Sequence, residues 1–118
     1  MAITETQTTA TVGATEWSMA TNTGYDSGDA QTGDGVMQAW FDVSALTSGD
    51  QFQIRFYEKI KSSGTQRVVH EAILTGAQSQ GLLVFPALTV MHGWDATAKK
   101  LAGTDRSIDC SLRLLPAA

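Results

Sequence analysis

The chain has 118 residues, 42% of them hydrophobic, and a formal net charge of −4 at pH 7. This length fits a single domain, and the negative charge argues against nucleic acid or an acidic membrane surface as the main partner. One cysteine and two histidines exclude a disulfide framework within the chain and make a structural zinc site very poorly supported.

The N-terminal segment, residues 1–12, is rich in threonine and carries one charge, Glu5. It lacks the basic and apolar regions of a secretory signal, so we expect synthesis in a cytoplasm. β-Branched residues favour extension, and the segment is predicted to be an extended arm, separate from one domain at 13–118, that adds a strand to a neighbour's sheet. Terminal disorder is the alternative. The predicted partner-binding residues are Ile3, Thr4, Thr6, Thr8, Thr9 and Thr11.

The rest of the chain alternates between apolar and polar residues over short segments, which is typical of half-buried strands. Strands are predicted at 15–20, 36–43, 51–61, 67–75, 82–91, 96–102 and 106–115. A loop at 22–35, rich in glycine and aspartate, is long enough to be a functional or disordered connection. The longest apolar run, residues 82–91, is interrupted by Pro86 and is too short to cross a membrane, which needs about 20 residues. Pro86 indicates a sheet edge or a bulge.

Two hairpins are predicted. Residues 62–64 form a three-residue turn, in which Gly64 is expected to be left-handed and followed by a bulge. This register places Phe52 opposite Leu74 and Arg55 opposite Glu71, an opposite-charge pair on the solvent face. A second hairpin is predicted around residues 103–105.

The short strands and frequent turns predict an all-β fold, an antiparallel β-sandwich of the Ig-like or jelly-roll type. A closed barrel is the structural alternative.

No residue pattern points to catalysis. Cys110 lies on the apolar face of its strand without a positive neighbour, and is expected to be buried and inert. His70 and His92 belong to no metal or catalytic motif. The chain is therefore predicted not to be an enzyme and to hold no cofactor.

Two binding sites remain as alternatives. The loop at 26–34 supplies carboxylates for a calcium ion but lacks EF-hand spacing, so these residues are expected to form turns. The aromatic side chains that a sugar could stack on are Trp17, Trp40, Trp94, Tyr25 and Tyr57, although core or protomer contact is favoured.

The charges are unevenly distributed along the chain. The first 54 residues carry a net charge of −7 and residues 55–118 a net charge of +3. Compensation within the folded domain is the favoured interpretation, and complementary surfaces on neighbouring copies are the alternative.

Four segments, 41–50, 53–59, 63–67 and 103–109, resemble small β-rich structural proteins of tailed-bacteriophage virions. The resemblance covers roughly residues 12–115 and rests on pattern rather than on a defined motif. It implies a capsid decoration (cement) protein that binds the outside of the major capsid protein shell, with neighbouring copies of itself as further partners and the virion surface as its location. A head–tail or tail component is the less favoured implication, and a carbohydrate- or receptor-binding module is the alternative from another class. The resemblance carries no catalytic residues.

Overall fold

A computed structural model describes residues 2–117, except for the side chain of Asp29. Within this range the chain forms short and long strands and one turn of 3₁₀ helix at Ser27–Asp29. No helix in this range is long and apolar enough to span a membrane. The strands are β1 (Thr4–Val12), β2 (Trp17–Ser18), β3 (Thr23–Gly24), β4 (Gly35–Asp42), β5 (Gln51–Lys59), β6 (Gln66–Thr75), β7 (Leu82–Val90), β8 (Asp95–Ala102) and β9 (Arg106–Pro116).

The strands form two antiparallel sheets with the topology of a jelly roll. The strand orders are β1-β9-β4-β7 and β3-β2-β8-β5-β6. The chain is folded like one long hairpin, in which β1 pairs with β9, β2 with β8, β4 with β7 and β5 with β6. Successive pairs lie alternately in the two sheets, which is the jelly-roll arrangement. The predicted β-sandwich is confirmed as a jelly roll, and the closed barrel is excluded because the sheets are separate.

The core lies between the two sheets and is filled by every second residue of the strands, whose side chains face inward. Phe41 contacts Phe85 edge-on, with ring centroids 6.0 Å apart, and Phe56 stacks on Trp94 at 5.8 Å. Cys110 is 4% exposed, as predicted. Each of these aromatic side chains buries a large apolar area, which stabilises the fold.

The β5–β6 hairpin has the predicted pairing. Phe52 lies opposite Leu74 and Arg55 opposite Glu71, and the Arg55 Nε to Glu71 Oε2 distance is 2.6 Å. The bulge was predicted at the turn, which is wrong: the register shifts between Phe56 and Tyr57, and Gly64 is not among the residues with positive φ. The hydroxyl of Tyr57, just after this shift, donates to Glu16, the residue immediately before β2.

The predicted hairpin at 103–105 is also wrong, because β8 and β9 belong to different sheets. The turn instead crosses the sandwich and is held by the buried carboxylate of Asp50. Asp50 Oδ2 accepts from Thr47 N at 2.9 Å and from Arg106 Nε at 2.7 Å, and its Oδ1 accepts from Thr104 N at 3.0 Å. The two backbone donors and the guanidinium hold the pKa of Asp50 well below its usual range. Gly103, at φ +92, is required because a Cβ would lie 2.3 Å from Asp50 Oδ1.

Two of the ion pairs in the described part of the chain join the acidic N-terminal and basic C-terminal halves. These are Asp50 with Arg106 and Glu5 with Arg113, whose Oε2 to Nε distance is 3.9 Å. The charge imbalance along the sequence is thus partly compensated inside one folded domain.

Candidate interaction surface on the four-stranded sheet

The predicted N-terminal arm forms part of the domain. Residues 4–12 are extended, but they pair with β9 of the same chain along their whole length. Residue 12 therefore marks no boundary between an arm and a separate domain. The segment docks on its own sheet because its alternate residues Ala10 and Val12 are buried in the core, an anchor that the threonine-rich composition conceals.

The predicted partner-binding residues divide between the two faces of β1. Thr8 is buried and its hydroxyl donates to Met19 O at 2.6 Å, whereas the exposed Thr9 hydroxyl donates to Asp109 Oδ1 at 2.7 Å. Thr4, Thr6 and Thr11 are exposed, and Ile3, just before the strand, is 64% exposed. Thr8 and Thr9 thus have partners within the chain, and Ile3 is the predicted residue that offers the largest apolar area to a partner.

Ile3 belongs to a group of exposed apolar side chains at one end of the sheet's outer face. Val36 lies opposite Leu115 across β4 and β9, and continuing the β1–β9 register places Ile3 beside Leu115. Met91 follows the end of β7, two residues beyond Thr89, which lies opposite Val36. The exposed fractions are 64% for Ile3, 42% for Val36, 57% for Met91 and 44% for Leu115. We call these four residues the apolar end patch.

A shallow cavity of about 390 Å³ lies within this patch, lined by Val36, Met91 and Leu115 among others. Gly35 keeps β4 and β9 close here, because a Cβ at its φ of +147° would lie 2.1 Å from the Leu115 carbonyl oxygen. The Glu58 carboxylate fixes the start of the following loop by accepting from Met91 N at 2.6 Å. Val36, Met91 and Leu115 are therefore positioned by the backbone of β4, β7 and β9, and this part of the patch is preformed.

Val36, Met91 and Leu115 were not among the residues that the sequence singled out. The signal was nevertheless present in the strand alternation. Val36 is in phase with the polar Gln38 on β4, and Leu115 is in phase with Arg113 on β9. An apolar residue at a solvent-facing position of a strand marks a contact surface when several such residues align across neighbouring strands.

A second feature of the same face is a polar groove of about 400 Å³ around Trp40. The guanidinium carbon of Arg113 lies 4.4 Å from the Trp40 ring centroid, and Gln38 Oε1 accepts from Trp40 Nε1 at 3.2 Å. Glu5 accepts a hydrogen bond from Ser111, and that bond is the main reason why the pKa of Glu5 is lowered. The groove combines an aromatic ring with charged hydrogen-bonding groups, the chemistry that polar ligands such as sugars use.

The remaining tryptophans serve the fold. Trp94 is 5% exposed and donates from Nε1 to Gly33 O at 3.1 Å. Trp17 packs against the core and donates from Nε1 to Asn22 Oδ1 at 3.0 Å. Of the three, Trp40 is the one placed on the outer face of the sheet.

The acidic loop at 26–34 is ordered by turn contacts. Asp26 caps the 3₁₀ turn by accepting from Gly28 N at 2.9 Å, and Gln31 forms a β-bridge with Trp94. Among the described side chains, no three acidic, histidine or cysteine residues come together in a way that could hold a metal ion. The observed role of Asp26 is that of a turn former.

Two further residues considered in the sequence analysis, Cys110 and His70, make contacts within the fold. Burial raises the pKa of the Cys110 thiol far above its ordinary value, so the reactive thiolate is strongly disfavoured. His70 stacks on Phe85 with ring centroids 5.3 Å apart.

No protein-family model matches this chain, and no curated protein matches it. Among solved structures it is similar to a chain from work describing Bacillus endospore appendages as a novel family of disulfide-linked pili. The identity is 15%, the TM-score is 0.55, and the match covers 98% of this chain and 88% of that chain. A likeness at this identity shows the shared β-sandwich fold.

Proposed function

We propose that this protein is a non-enzymatic structural component of a tailed-bacteriophage virion, which decorates the capsid and stabilises it by binding the outside of the major capsid protein shell. The observation that carries the proposal is the apolar end patch. Four apolar side chains, each between 42% and 64% exposed, lie together on a rigid sheet. Aligned exposed apolar residues of this kind are typical of protein contact surfaces.

The architecture supports this role. A protein that clamps a shell must keep its contact surface in one shape while the particle is under stress. The strands of the jelly roll pair into two sheets. Asp50, in the β4–β5 loop, links that loop to the β8–β9 crossing by accepting from Thr104 N and Arg106 Nε. Such a body offers a preformed surface, so little conformational entropy is lost on docking.

Binding to many identical shell positions also suits a patch of modest area. Each contact can be weak when copies on one particle are further connected to their neighbours, because the effective concentration at the surface is high. The expected single-copy affinity is therefore moderate, and occupancy on intact particles is expected to exceed occupancy on isolated capsid subunits.

The test uses shells of the major capsid protein that lack this chain. Adding the purified chain should give saturable co-sedimentation with the shells and raise the temperature at which they disrupt. The proposal is refuted if the chain does not co-sediment, or if it binds without any gain in shell stability. A host-recognition role would instead give binding to host cells.

The groove around Trp40 favours one second candidate, a carbohydrate-binding module. Trp40 is half-buried and carries Arg113 over its ring. Together with Glu5, these side chains would bind a sugar by stacking and hydrogen bonding. Quenching or enhancement of tryptophan fluorescence by one member of a glycan panel, lost in Trp40→Ala and kept in Trp17→Phe, would support this function. Silence across the panel would remove it.

The pilus described for the structural neighbour suggests a third kind of assembly, copies joined by disulfides. This chain has one cysteine, which can join at most two copies, and Cys110 is 4% exposed in the core. We therefore do not extend disulfide linkage to this protein.

A further inference from the structure

The two sheets have four edge strands, β1, β7, β3 and β6, and three of them carry features that prevent pairing with another chain. β7 contains Pro86 and a register shift opposite β4. β3 is two residues long. β6 is paired to β5 through a register shift and bears Arg67 and Glu71. Prolines, bulges, charges and short length are the devices by which natural sheets block edge-to-edge association.

β1 has neither a proline, nor a register shift, nor a short length, and it carries a single charged residue. It runs for nine residues, and its register with β9 is continuous from Thr4 to Val12. It contains no proline and no basic residue, and its one charged residue is Glu5. One edge of β1 pairs with β9, and no strand of residues 2–117 covers the other edge. An open edge of this length is a template for a further strand.

We infer that β1 pairs in antiparallel fashion with β1 of a second copy across a two-fold axis, so that two four-stranded sheets become one continuous sheet. The register follows from the strand itself. Side chains must keep their inward or outward direction, so residue numbers of facing residues must add to an even number. The register that pairs all nine residues places Thr8 opposite Thr8 and Gln7 opposite Thr9 of the other copy.

The side chains of β1 suit this self-pairing. Glu5 falls opposite Thr11 of the second copy, and the two Glu5 residues are separated by six positions along the strand, about 20 Å. Glu5 also has partners in its own chain, since it accepts from Ser111 and lies 3.9 Å from Arg113 Nε. The pairing therefore brings no like charges together, and its facing pairs of Thr and Gln are compatible with a sheet.

A symmetric contact of this kind is closed, so it stops at a dimer rather than growing into a fibre. Pairing of one strand edge buries less surface than a stable dimer requires, so we expect a weak, concentration-dependent dimer in solution. The inference does not rest on capsid binding, because it concerns the isolated chain. On a shell, the same contact would join neighbouring copies and add to their occupancy.

The experiment measures the mass of the isolated chain by sedimentation equilibrium from low to high micromolar concentration. Two double variants change exposed positions that face each other in the proposed register, Gln7→Lys with Thr9→Lys, and Gln7→Glu with Thr9→Glu. Each variant alone places like charges opposite each other and should weaken dimerisation at least 10-fold. An equimolar mixture of the two should restore dimers, because opposite charges then face each other.

Two controls separate this contact from others. Val69→Lys adds a charge to the edge strand β6, where Val69 is 48% exposed, and should leave the dimer unchanged. Circular dichroism and thermal melting of each variant report whether the monomer is still folded. The inference is overturned if the wild-type chain stays monomeric throughout, if the mixture fails to restore dimers, or if Val69→Lys abolishes them. Its failure would leave binding to shells untouched, since that measurement uses shells and this one does not.

Discussion

Replacing Leu115 by alanine should weaken binding to capsid shells, whereas replacing Leu101 by alanine should not. The two leucines are a matched pair, because they are 44% and 41% exposed in the free protein. Leu115 belongs to the apolar end patch on β9, and Leu101 lies near the end of β8 in the other sheet. Loss of fold stability should be similar for both, so a difference in binding reports on the patch.

The expected size of the effect follows from the exposed fraction. Complete burial of a leucine side chain is worth about 1.5–3 kcal/mol. If docking covers the 44% of Leu115 that is still exposed, this residue contributes about 0.7–1.3 kcal/mol. Loss of this contribution should raise the Kd for shells by about 3- to 9-fold. Because alanine keeps the Cβ methyl group and so part of the apolar area, we expect a value near the lower end of this range.

The assay is co-sedimentation of each variant with shells over a concentration series that brackets the wild-type Kd. Thermal melting of the free variants serves as the control for folding. Equal weakening by Leu115→Ala and Leu101→Ala, or no weakening by either, would show that the apolar end patch does not contact the shell.

Three further predictions concern the body that carries the patch. Asp50→Asn should lower Tm at neutral pH: the pKa of Asp50 is depressed in the folded state, so its stabilising contribution is complete above the ordinary aspartate value of about 3.9 and is lost as the pH falls below it. Melts should show a constant difference in Tm between pH 7 and about pH 5 and a narrowing difference below about pH 4, which closes only as the pH falls through the depressed pKa of the folded state. A difference that does not narrow below about pH 4 would contradict this. Phe56→Ala should lower the free energy of unfolding in urea by about 3–5 kcal/mol, because the fully buried ring is lost from its stack on Trp94 and leaves a cavity. A loss below about 1 kcal/mol would contradict this packing. Cys110 should not react with a thiol reagent in the native protein and should react fully in denaturant, and rapid native labelling would contradict its burial.

The sequence predicted the parts of the fold that depend on neighbouring residues. The β5–β6 register could be derived because a short turn joins the strands and because matching Arg55 with Glu71 keeps charges on the solvent face. Pro86 was correctly associated with an edge and a bulge, since proline cannot donate a ladder hydrogen bond.

One failure is local, because the bulge predicted at the 62–64 turn lies between Phe56 and Tyr57 instead. The other failures concern partners that are distant in sequence. β1 pairs with β9, so that Thr9 faces Asp109, and nothing in the local pattern of residues 1–12 indicates that partner. The segment 103–105 has the composition of a hairpin turn, but it crosses from one sheet to the other. Asp50 holds it there by accepting from Thr104 N and Arg106 Nε, which are more than 50 residues away in sequence. The apolar end patch likewise exists only once β1, β9, β4 and β7 are adjacent, so the sequence could supply Ile3 but not its three companions.

A cryo-EM map of the native virion tests the central claim most directly. The account predicts density for this jelly roll on the outside of the capsid shell, with the apolar end patch, Ile3, Val36, Met91 and Leu115, facing the major capsid protein. Density for the chain in the tail or at the head–tail junction, or on the shell with this patch turned to solvent, would contradict it.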